Sequence, residues 1–293
     1  MDAYHQSIIT LVKVALDEDV GRGDLTSIAC LEPNPIKATI TAKSDGVLSG
    51  VEPALAVFAL VDSANVVTFH KKDGASFVRG DLIADIDGFN QTVLASERTA
   101  LNFLGRLSGI ATLTRQFVER LKGTPCRILD TRKTTPGFRL LEKRAVLHGG
   151  GQNHRIGLYD MVLVKDNHIA SAGSITNAVS LTREYLTSPE FRIQFGNDQG
   201  KVEIEVEISS ATELREAIAA GVDRLLLDNQ TVDSLRQLVQ VARELNPDVK
   251  LEASGNVTLE NVAAIGATGV DYVSSGAITH SAPTSDFSMR VKA

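Results

Sequence analysis

The chain has 293 residues, of which 43% are hydrophobic and 23% charged, and its formal net charge is −6. These proportions are typical of a globular protein with one large or two ordinary domains. The acidic balance and the lack of tryptophan argue against a general binder of nucleic acids or membranes, because such proteins need a basic surface or stacking rings.

Two sequence features predict a reduced, cytoplasmic protein. Cys30 and Cys126 are the only cysteines, and two isolated cysteines make neither a zinc site nor a disulfide framework. The first 20 residues carry acids and lack an uninterrupted apolar core, so they do not form a signal peptide. No run of about 18 apolar residues predicts a membrane span.

The first part of the chain predicts an α+β domain. Apolar residues recur at helical spacing over residues 4–18, and a second helix is expected over 53–61. Short alternating stretches broken by glycine predict strands. These stretches are residues 37–43, 46–50, 65–71 and 81–88. A long helical pattern over residues 92–122, with a pause at Gly109, predicts the connection to a second domain.

The second part of the chain predicts a parallel sheet. Six short, mostly apolar stretches alternate with helical patterns, which is typical of strands covered by helices. The strands are expected at 126–131, 161–166, 202–208, 224–229, 250–255 and 271–276, and the helices at 173–186, 211–220, 231–245 and 258–266. We therefore predict an α/β fold, with an N-terminal α+β sandwich domain (1–112, joined by the tail 277–293) and an open, incomplete α/β barrel (113–276). Residues 195–201 are expected to form an exposed loop.

Polar residues follow every predicted strand of the barrel. The carboxyl ends of barrel strands meet at one mouth, where active sites lie. The strand-end residues are Asp130 to Lys133, Lys165 to His168, Glu205, Glu207, Asp228, Asn229, Ser254 to Asn256 and Ser274 to Gly276.

The segment 130–168 reverses the charge of the chain. It holds seven Lys and Arg against four acids, a local charge of +3, and three of the six histidines. So local an excess of cations beside a Gly-Gly-Gly turn predicts a pocket for a small, multiply charged anion.

Two further residue types suggest which anion is bound. Ser-Gly turns before helices present backbone N–H groups to phosphate, as expected at Ser254, Gly255, Asn256, Ser275 and Gly276. Glu205 and Asp228 supply hard oxygen atoms that suit Mg²⁺ or ribose hydroxyls. Cations, phosphate cradles and acids together predict a phosphorylated sugar with magnesium.

Several charged residues have a simpler interpretation. Arg139, Lys143 and Arg144 fall on a predicted helix, 137–148, and are expected to be surface charges. His148 is expected to end that helix, and His168 to be structural. Glu203, Glu205 and Glu207 alternate on one strand face, and we prefer Glu205 as the functional acid.

At these positions the chain resembles the quinolinate phosphoribosyltransferases, type II phosphoribosyltransferases that release CO₂. The resemblance runs nearly end to end. Its strings are residues 15–27, 96–112, 130–137, 148–169, 203–207, 225–229, 252–256 and 275–283. The stretch 187–201 is longer than the family's usual link, and Asn256 stands where many relatives have glycine.

The resemblance implies transfer of phosphoribosyl from phosphoribosyl pyrophosphate to quinolinate with Mg²⁺, in a homodimer or an assembly of dimers with shared sites. It implies that Arg98 enters a neighbouring subunit's site. The implied quinolinate contacts are Arg132, His154, Arg155 and Lys165. The implied contacts to the sugar donor are Lys133 for the pyrophosphate, Glu205 and Asp228 for ribose and Mg²⁺, and Ser254, Gly255, Asn256, Ser275, Gly276 and His280 for the 5′-phosphate.

Two alternative functions share these features. A related phosphoribosyltransferase acting on a monocarboxylate pyridine would keep the barrel and the phosphate cradles, but it needs fewer carboxylate-binding cations. A non-catalytic sensor of phosphoribosyl pyrophosphate or pyridine nucleotides would have less need of both Glu205 and Asp228.

Overall fold

The computed structural model describes residues 3–196 and 202–292. The helices of these residues are α1 (Ala3–Asp19), α2 (Leu25–Cys30), α3 (Val51–Val61), α4 (Asn90–Arg120), α5 (Arg139–Gly149), α6 (Asp166–Ala172), α7 (Ile175–Thr187), α8 (Pro189–Phe195), α9 (Ala211–Ala219), α10 (Val232–Leu245), α11 (Val262–Gly266) and α12 (Ala277–His280). The strands are β1 (Pro35–Ala42), β2 (Gly46–Val47), β3 (Val66–Phe69), β4 (Ser76–Phe77), β5 (Leu82–Phe89), β6 (Arg127–Leu129), β7 (Val162–Val164), β8 (Ile204–Ile208), β9 (Arg224–Asp228), β10 (Lys250–Ser254), β11 (Tyr272–Ser274) and β12 (Phe287–Val291).

Contacts divide the chain into two compact units. Unit 1 comprises Met1–Gln116, Lys133–Gly151 and Ile278–Ala293, and unit 2 comprises Phe117–Arg132 and Gln152–Ala277. The segment Lys133–Gly151 therefore packs with unit 1, although the sequence assigned it to the barrel domain. Periodicity alone does not reveal this, because α5 follows a barrel strand and reads as an ordinary connecting helix.

Unit 1 contains an antiparallel sheet with helices. The strand order is β12-β1-β5-β3, and β2 pairs separately with β4. Alternate residues of β1 are buried, namely Ala38, Ile40 and Ala42, as expected when one face of a strand meets the core. The C-terminal strand β12 pairs with β1, with Ile40 opposite Met289.

Helix α4 corrects one sequence expectation. The predicted pause at Gly109 is wrong, because the helix continues from Asn90 to Arg120. Gly109 instead allows a close approach, since a Cβ atom there would lie 2.0 Å from the carbonyl oxygen of Pro283. The glycine therefore marks where the C-terminal segment crosses the helix, not where the helix breaks.

Unit 2 contains a parallel sheet, and the prediction of six strands is confirmed. Within the described residues the strand order is β6-β11-β10-β9-β8-β7, so β6 and β7 are the edge strands. Gln152 forms one isolated parallel bridge with Leu129 of β6. Short α6 and α8 were not predicted. Residues 197–201 of the predicted loop lie outside the described residues, and Phe195 ends α8.

None of the described helices is both long and apolar enough to cross a membrane.

Candidate active site

The strand register of unit 2 gathers the charged residues on one face of the sheet. Glu205 lies opposite Arg224, and Glu207 opposite Leu226. On the next strand Leu226 lies opposite Glu252, and Asp228 opposite Ser254. Because side chains alternate along a strand, residues two apart share a face. The shared face therefore carries Glu203, Glu205, Glu207, Arg224, Asp228, Glu252 and Ser254.

A buried cluster of His154, Glu205 and Glu252 lies in unit 2. The Nε2 atom of His154 is 3.0 Å from Glu205 Oε2 and 3.5 Å from Glu252 Oε2. The backbone N–H of Arg155 donates to Nδ1 of His154 at 2.7 Å. Since Nδ1 accepts, the ring proton lies on Nε2 and points at the carboxylates. Both ring nitrogens of His154 are thus bound within the protein.

Burial makes the two glutamates of this cluster unusual acids. Loss of solvation raises the pKa of Glu205 to about 7, against an opposing effect of the Arg224 charge. Loss of solvation, followed by repulsion from Glu205, raises the pKa of Glu252 to about 7. Within the described residues, the Oε1 atoms of both glutamates have no hydrogen-bond partner. Two carboxylates this close cannot both be charged at little cost, so the pair retains a proton up to near-neutral pH.

Arg224 partly neutralises this cluster. Its Nη1 is 3.3 Å from Glu252 Oε2, and its Nη2 is 3.0 Å from Glu203 Oε2. The guanidinium also lies over the Tyr272 ring, 4.6 Å from the ring centroid. One oxygen or nitrogen atom each of His154, Glu205 and Glu252 lies within 4.8 Å of the others, close enough to hold a metal ion. Arg224 already supplies a positive charge there.

A second, more exposed pair lies at the carboxyl ends of β7 and β8. Lys165 Nζ donates to Glu207 Oε2 at 2.5 Å, and the side chains are 45% and 18% exposed. These exposures separate Glu207, which solvent reaches, from Glu205, which it does not. The Lys165 backbone N–H donates to His168 Nδ1 at 3.0 Å, so His168 helps to cap α6, as the structural interpretation expects.

The carboxyl ends of β9 and β10 form a tight backbone arrangement. Asn229 and Asn256 adopt positive φ values of 50° and 49°, a conformation that asparagine tolerates better than most residues. A Cβ atom on Gly255 would lie 2.1 Å from Asn229 Oδ1. The Asn229 side-chain amide donates to Asp228 Oδ2 at 2.7 Å. The predicted Ser-Gly-Asn turn therefore packs directly beside the predicted acid Asp228.

The predicted phosphate residue Ser275 is less available than the sequence suggested. It is buried, its N–H donates to the Leu129 carbonyl at 3.1 Å, and its hydroxyl donates to the Val257 carbonyl at 3.1 Å. These bonds hold the loop after β11. Ser275 therefore anchors the loop that carries Gly276.

The positive charges of Arg132 and Arg155 of unit 2 repel each other. Burial, followed by the Arg132 charge, lowers the pKa of Arg155. Arg155 Nη1 donates to the Met161 carbonyl at 3.3 Å. Arg155 also lines a cavity of about 430 Å³. The other residues that line it are Asn153, His154, Ile156, Asp160, Met161, Glu203 and Arg224.

The predicted residues Arg98, Lys133 and His280 belong to unit 1. Arg98 is exposed on α4, and Lys133 and His280 are exposed as well. The Lys133 carbonyl accepts a hydrogen bond from the Thr279 hydroxyl at 2.8 Å, and His280 Nδ1 lies 2.7 Å from Ser281 Oγ.

The expectation that Lys143 is a surface charge is wrong. Lys143 is only 2% exposed on α5. Arg139 is half-buried, and its Nε donates to Thr134 Oγ1 at 2.9 Å. Arg144 is exposed and lies over the Tyr4 ring, 5.5 Å from its centroid. The sequence did not reveal this because α5 packs within unit 1 on more than one face.

A parallel sheet covered by helices, with cations, acids and a Ser-Gly-Asn turn at its strand ends, is the architecture of an α/β enzyme. Residues 24–108 match the model of the quinolinate phosphoribosyl transferase N-terminal domain, and residues 110–290 match the model of the C-terminal domain. The chain belongs to the quinolinate phosphoribosyl transferase family.

Individual relatives match over nearly the whole chain. A probable nicotinate-nucleotide pyrophosphorylase [carboxylating] of Bacillus subtilis is 44% identical over 274 residues, covering 94% of this chain and 90% of that protein. A chloroplastic nicotinate-nucleotide pyrophosphorylase [carboxylating] of Arabidopsis thaliana is 40% identical, covering 96% and 82%. The structure of nicotinate-nucleotide pyrophosphorylase from Francisella tularensis superposes with a TM-score of 0.89 at 35% identity, covering 98% of this chain and 97% of that one.

The Glu205–Glu252 pair should make stability depend on pH. An unfolded glutamate loses its proton near pH 4.5, whereas the folded pair keeps one up to about pH 7. The folded state therefore binds more protons between these values, and the free energy of unfolding contributed by the pair falls as pH rises through this window. For a single proton the slope is at most about 1.4 kcal/mol per pH unit.

Urea unfolding between pH 4.5 and 7.5 measures this slope. The double variant Glu205→Gln/Glu252→Gln should remove most of the decline, whereas Glu244→Gln, at an exposed position of α10, should keep the wild-type slope. An unchanged slope in the double variant would show that the pair does not retain a proton.

Proposed function

We propose that the chain transfers the phosphoribosyl group of phosphoribosyl pyrophosphate to quinolinate and releases CO₂. The products are nicotinate mononucleotide, pyrophosphate and CO₂, and the reaction belongs to NAD biosynthesis. Family membership and the names of the carboxylating relatives support this proposal. The structural observation that carries it is the gathering of Lys165, Glu207 and Asp228 at the carboxyl ends of three neighbouring parallel strands. Burial, followed by the Arg132 charge, lowers the pKa of the half-buried Arg155, and a dicarboxylate bound by two neighbouring guanidinium groups would relieve their mutual repulsion.

Three cations of unit 2 bind quinolinate in this proposal. Arg132 and Arg155 bind the carboxylates of quinolinate, and Lys165 lies beside them at the carboxyl end of β7. His154 supports Arg155, since its Nδ1 accepts the Arg155 backbone N–H. We therefore assign His154 to the quinolinate side of the site, where its ring orients Arg155 rather than competing for substrate.

The reaction needs charge stabilisation and no covalent nucleophile. The pyridine nitrogen forms a bond to C1 of the sugar, and the bond from C1 to the pyrophosphate oxygen breaks with its electron pair leaving on pyrophosphate. Asp228 stabilises the positive charge that develops on the sugar. The carboxylate at C2 then leaves as CO₂, and the electron pair stays on C2 beside the pyridinium nitrogen until C2 takes up a proton.

We propose that Mg²⁺ binds through Asp228 and Glu207, in place of the expected pair Asp228 and Glu205. Magnesium retains several waters in protein sites, and solvent does not reach the Glu205 side chain. Glu207 is partly exposed, and Asp228 is half-buried on the neighbouring strand. Bound Mg²⁺ would neutralise negative charge on the pyrophosphate. Glu205 instead holds the His154 ring.

The remaining donor contacts follow the family resemblance. Ser254, Gly255, Asn256 and Gly276 present the 5′-phosphate cradle with His280, Ser275 anchors its second loop, and Lys133 binds the pyrophosphate. The Gly255 backbone suits this role, because Asn229 packs where a Cβ atom would stand.

We further propose that the chain works as a homodimer or an assembly of dimers in which Arg98 of one copy enters the site of another. Arg98 is exposed on α4, as such a role requires. We also propose a cytoplasmic location, because Cys30 and Cys126 are both free thiols.

Incubation with quinolinate, phosphoribosyl pyrophosphate and Mg²⁺ tests the activity. We expect labelled CO₂ from carboxyl-labelled quinolinate together with nicotinate mononucleotide, and no turnover when nicotinate replaces quinolinate.

Lys165→Ala and Arg155→Ala should each lower kcat/KM by a factor of about 100 or more, since a desolvated charge-assisted contact is worth a few kcal/mol. Arg236→Ala, an exposed residue of α10 paired with Asp233, is the matched control. Near-normal turnover of Lys165→Ala would defeat its assignment, and turnover of nicotinate would favour the monocarboxylate alternative.

The magnesium dependence distinguishes Glu207 from Glu205. Glu207→Gln and Asp228→Asn should raise the Mg²⁺ concentration for half-maximal activity by about tenfold, the effect of losing one charged ligand. Glu205→Gln should leave that concentration within about twofold, because it changes a hydrogen bond to His154 instead. The reverse pattern would return the metal to Glu205.

Hybrid dimers test the sharing of sites. Arg98→Ala and Lys165→Ala proteins should each be nearly inactive alone. Mixed subunits should recover about a quarter of wild-type activity, because half of a random mixture is hybrid and each hybrid dimer holds one intact site. If subunit exchange is confirmed by differential tags and no activity returns, Arg98 does not act across subunits.

A further inference from the structure

A buried ion pair in unit 1 holds the chain just after Lys133 and at Thr279. Arg106 of α4 donates to Glu142 Oε1 from Nε at 3.2 Å and from Nη2 at 2.7 Å. Glu142 of α5 is fully buried, and the Arg106 side chain is 25% exposed. The pair therefore lies where its geometry is shielded from solvent and competing ions.

Glu142 also fixes the chain just after Lys133. Its Oε2 accepts the Thr135 backbone N–H at 3.1 Å, and its Oε1 accepts the Thr135 hydroxyl at 2.9 Å. With the two bonds from Arg106, the carboxylate receives four donors. A buried carboxylate with so many donors has one favoured orientation, because rotation would leave its donors and its own oxygens without partners.

Arg106 fixes the C-terminal segment as well. Its Nη2 donates to the Thr279 carbonyl at 2.6 Å, and its Nη1 donates to the Ala282 carbonyl at 3.2 Å. Nearby on α4, a Cβ atom on Gly105 would lie 2.8 Å from the Ser285 carbonyl oxygen. One guanidinium thus sets the position of residues 279–282 relative to α4 and to Glu142.

The Thr279 side chain joins the two segments. The Thr279 hydroxyl donates to the Lys133 carbonyl at 2.8 Å, and Thr279 is fully buried. Arg106 holds the Thr279 backbone, and Glu142 holds Thr135, two residues after Lys133. The backbone is therefore held at the Lys133 carbonyl and again two residues later at Thr135, while the Lys133 residue itself is exposed.

We propose that Thr279, together with the Arg106–Glu142 pair, positions the backbone of Lys133 so that its ammonium group meets the pyrophosphate of the sugar donor. This inference rests on the role assigned to Lys133 in the proposed function. Arg106, Glu142 and Thr279 are positioning residues in this scheme, and none of them touches substrate. Their specific effect is on phosphoribosyl pyrophosphate, not on quinolinate.

A purely structural role for the same bonds makes a different prediction. Loss of the Thr279 hydroxyl would then lower the unfolding temperature and would act independently of the Lys133 side chain. Two changes that act through one contact are not additive, whereas independent changes are. The coupling between the Thr279 and Lys133 variants therefore separates positioning from stabilisation.

The experiment is a double-mutant cycle of Thr279→Val and Lys133→Ala in the full-length protein. Titration calorimetry with phosphoribosyl pyrophosphate and Mg²⁺ gives Kd, and KM for each substrate is measured for variants that turn over. Thr279→Val should raise Kd for phosphoribosyl pyrophosphate about threefold to tenfold, the effect of one hydrogen bond. The KM for quinolinate should stay within about twofold. Thr279→Ser, which keeps the hydroxyl, should restore most of the loss. In the Lys133→Ala background, Thr279→Val should cause no further change.

Each outcome decides the inference. A full additional effect of Thr279→Val in the Lys133→Ala background, or no effect of Thr279→Val alone, overturns positioning while leaving the role of Lys133 intact. An unchanged Kd for Lys133→Ala overturns that role and the inference together. Glu142→Gln is the second probe, since it keeps the shape of the side chain while weakening the bonds to Arg106 and Thr135. The unfolding temperature of Glu142→Gln is measured first, to confirm that the variant is folded at the assay temperature. A loss of affinity for phosphoribosyl pyrophosphate alone then supports positioning. An equal loss for both substrates opposes it.

Discussion

The interior of unit 2 depends on how two buried carboxylates are accommodated beside one histidine. Glu205 and Glu252 lie on parallel strands whose register places them on the same face. Removing both from water is costly, so the structure surrounds them with His154 and Arg224 and retains a proton on the pair. This arrangement sets the tautomer of His154, whose Nδ1 accepts a hydrogen bond from the backbone N–H of Arg155. Arg155, one of the cations of the proposed quinolinate site, is thus held through His154 from the centre of the sheet.

The same face separates two kinds of acid. Glu205 and Glu252 lie within the sheet, where no solvent reaches them, while Glu207 and Asp228 lie at the strand ends. A buried carboxylate orients neighbouring groups, whereas a partly hydrated one can bind a metal ion that keeps its waters. Depth along the strand, rather than residue type, therefore distinguishes the two buried glutamates from the two acids at the strand ends.

Unit 1 applies a related principle through a different ion pair. Arg106 and Glu142 bring donors and acceptors from α4, α5 and the C-terminal segment to one buried point. Lys133, which precedes the segment held by this network, is exposed. In both units a buried charge pair lies beside the segment that carries an exposed or half-buried cation. Such preorganisation lowers the entropy lost when a charged substrate binds.

The sequence by itself determined the α/β class, the six parallel strands and the identity of the strand-end residues, because hydrophobic periodicity and strand-ending polar residues are local signals. The sequence also contains the stretches around Arg132, His154, Lys165 and Asp228 that resemble the quinolinate phosphoribosyltransferase family. Tertiary structure alone decided which of Glu203, Glu205 and Glu207 is buried, since all three share one strand face and only the neighbouring strands distinguish their depth. It also decided that Lys143 is buried, that Gly109 lies inside a continuous helix, and that Lys133–Gly151 packs with unit 1. Burial and pairing depend on contacts between residues far apart in the chain, and no local pattern encodes those contacts.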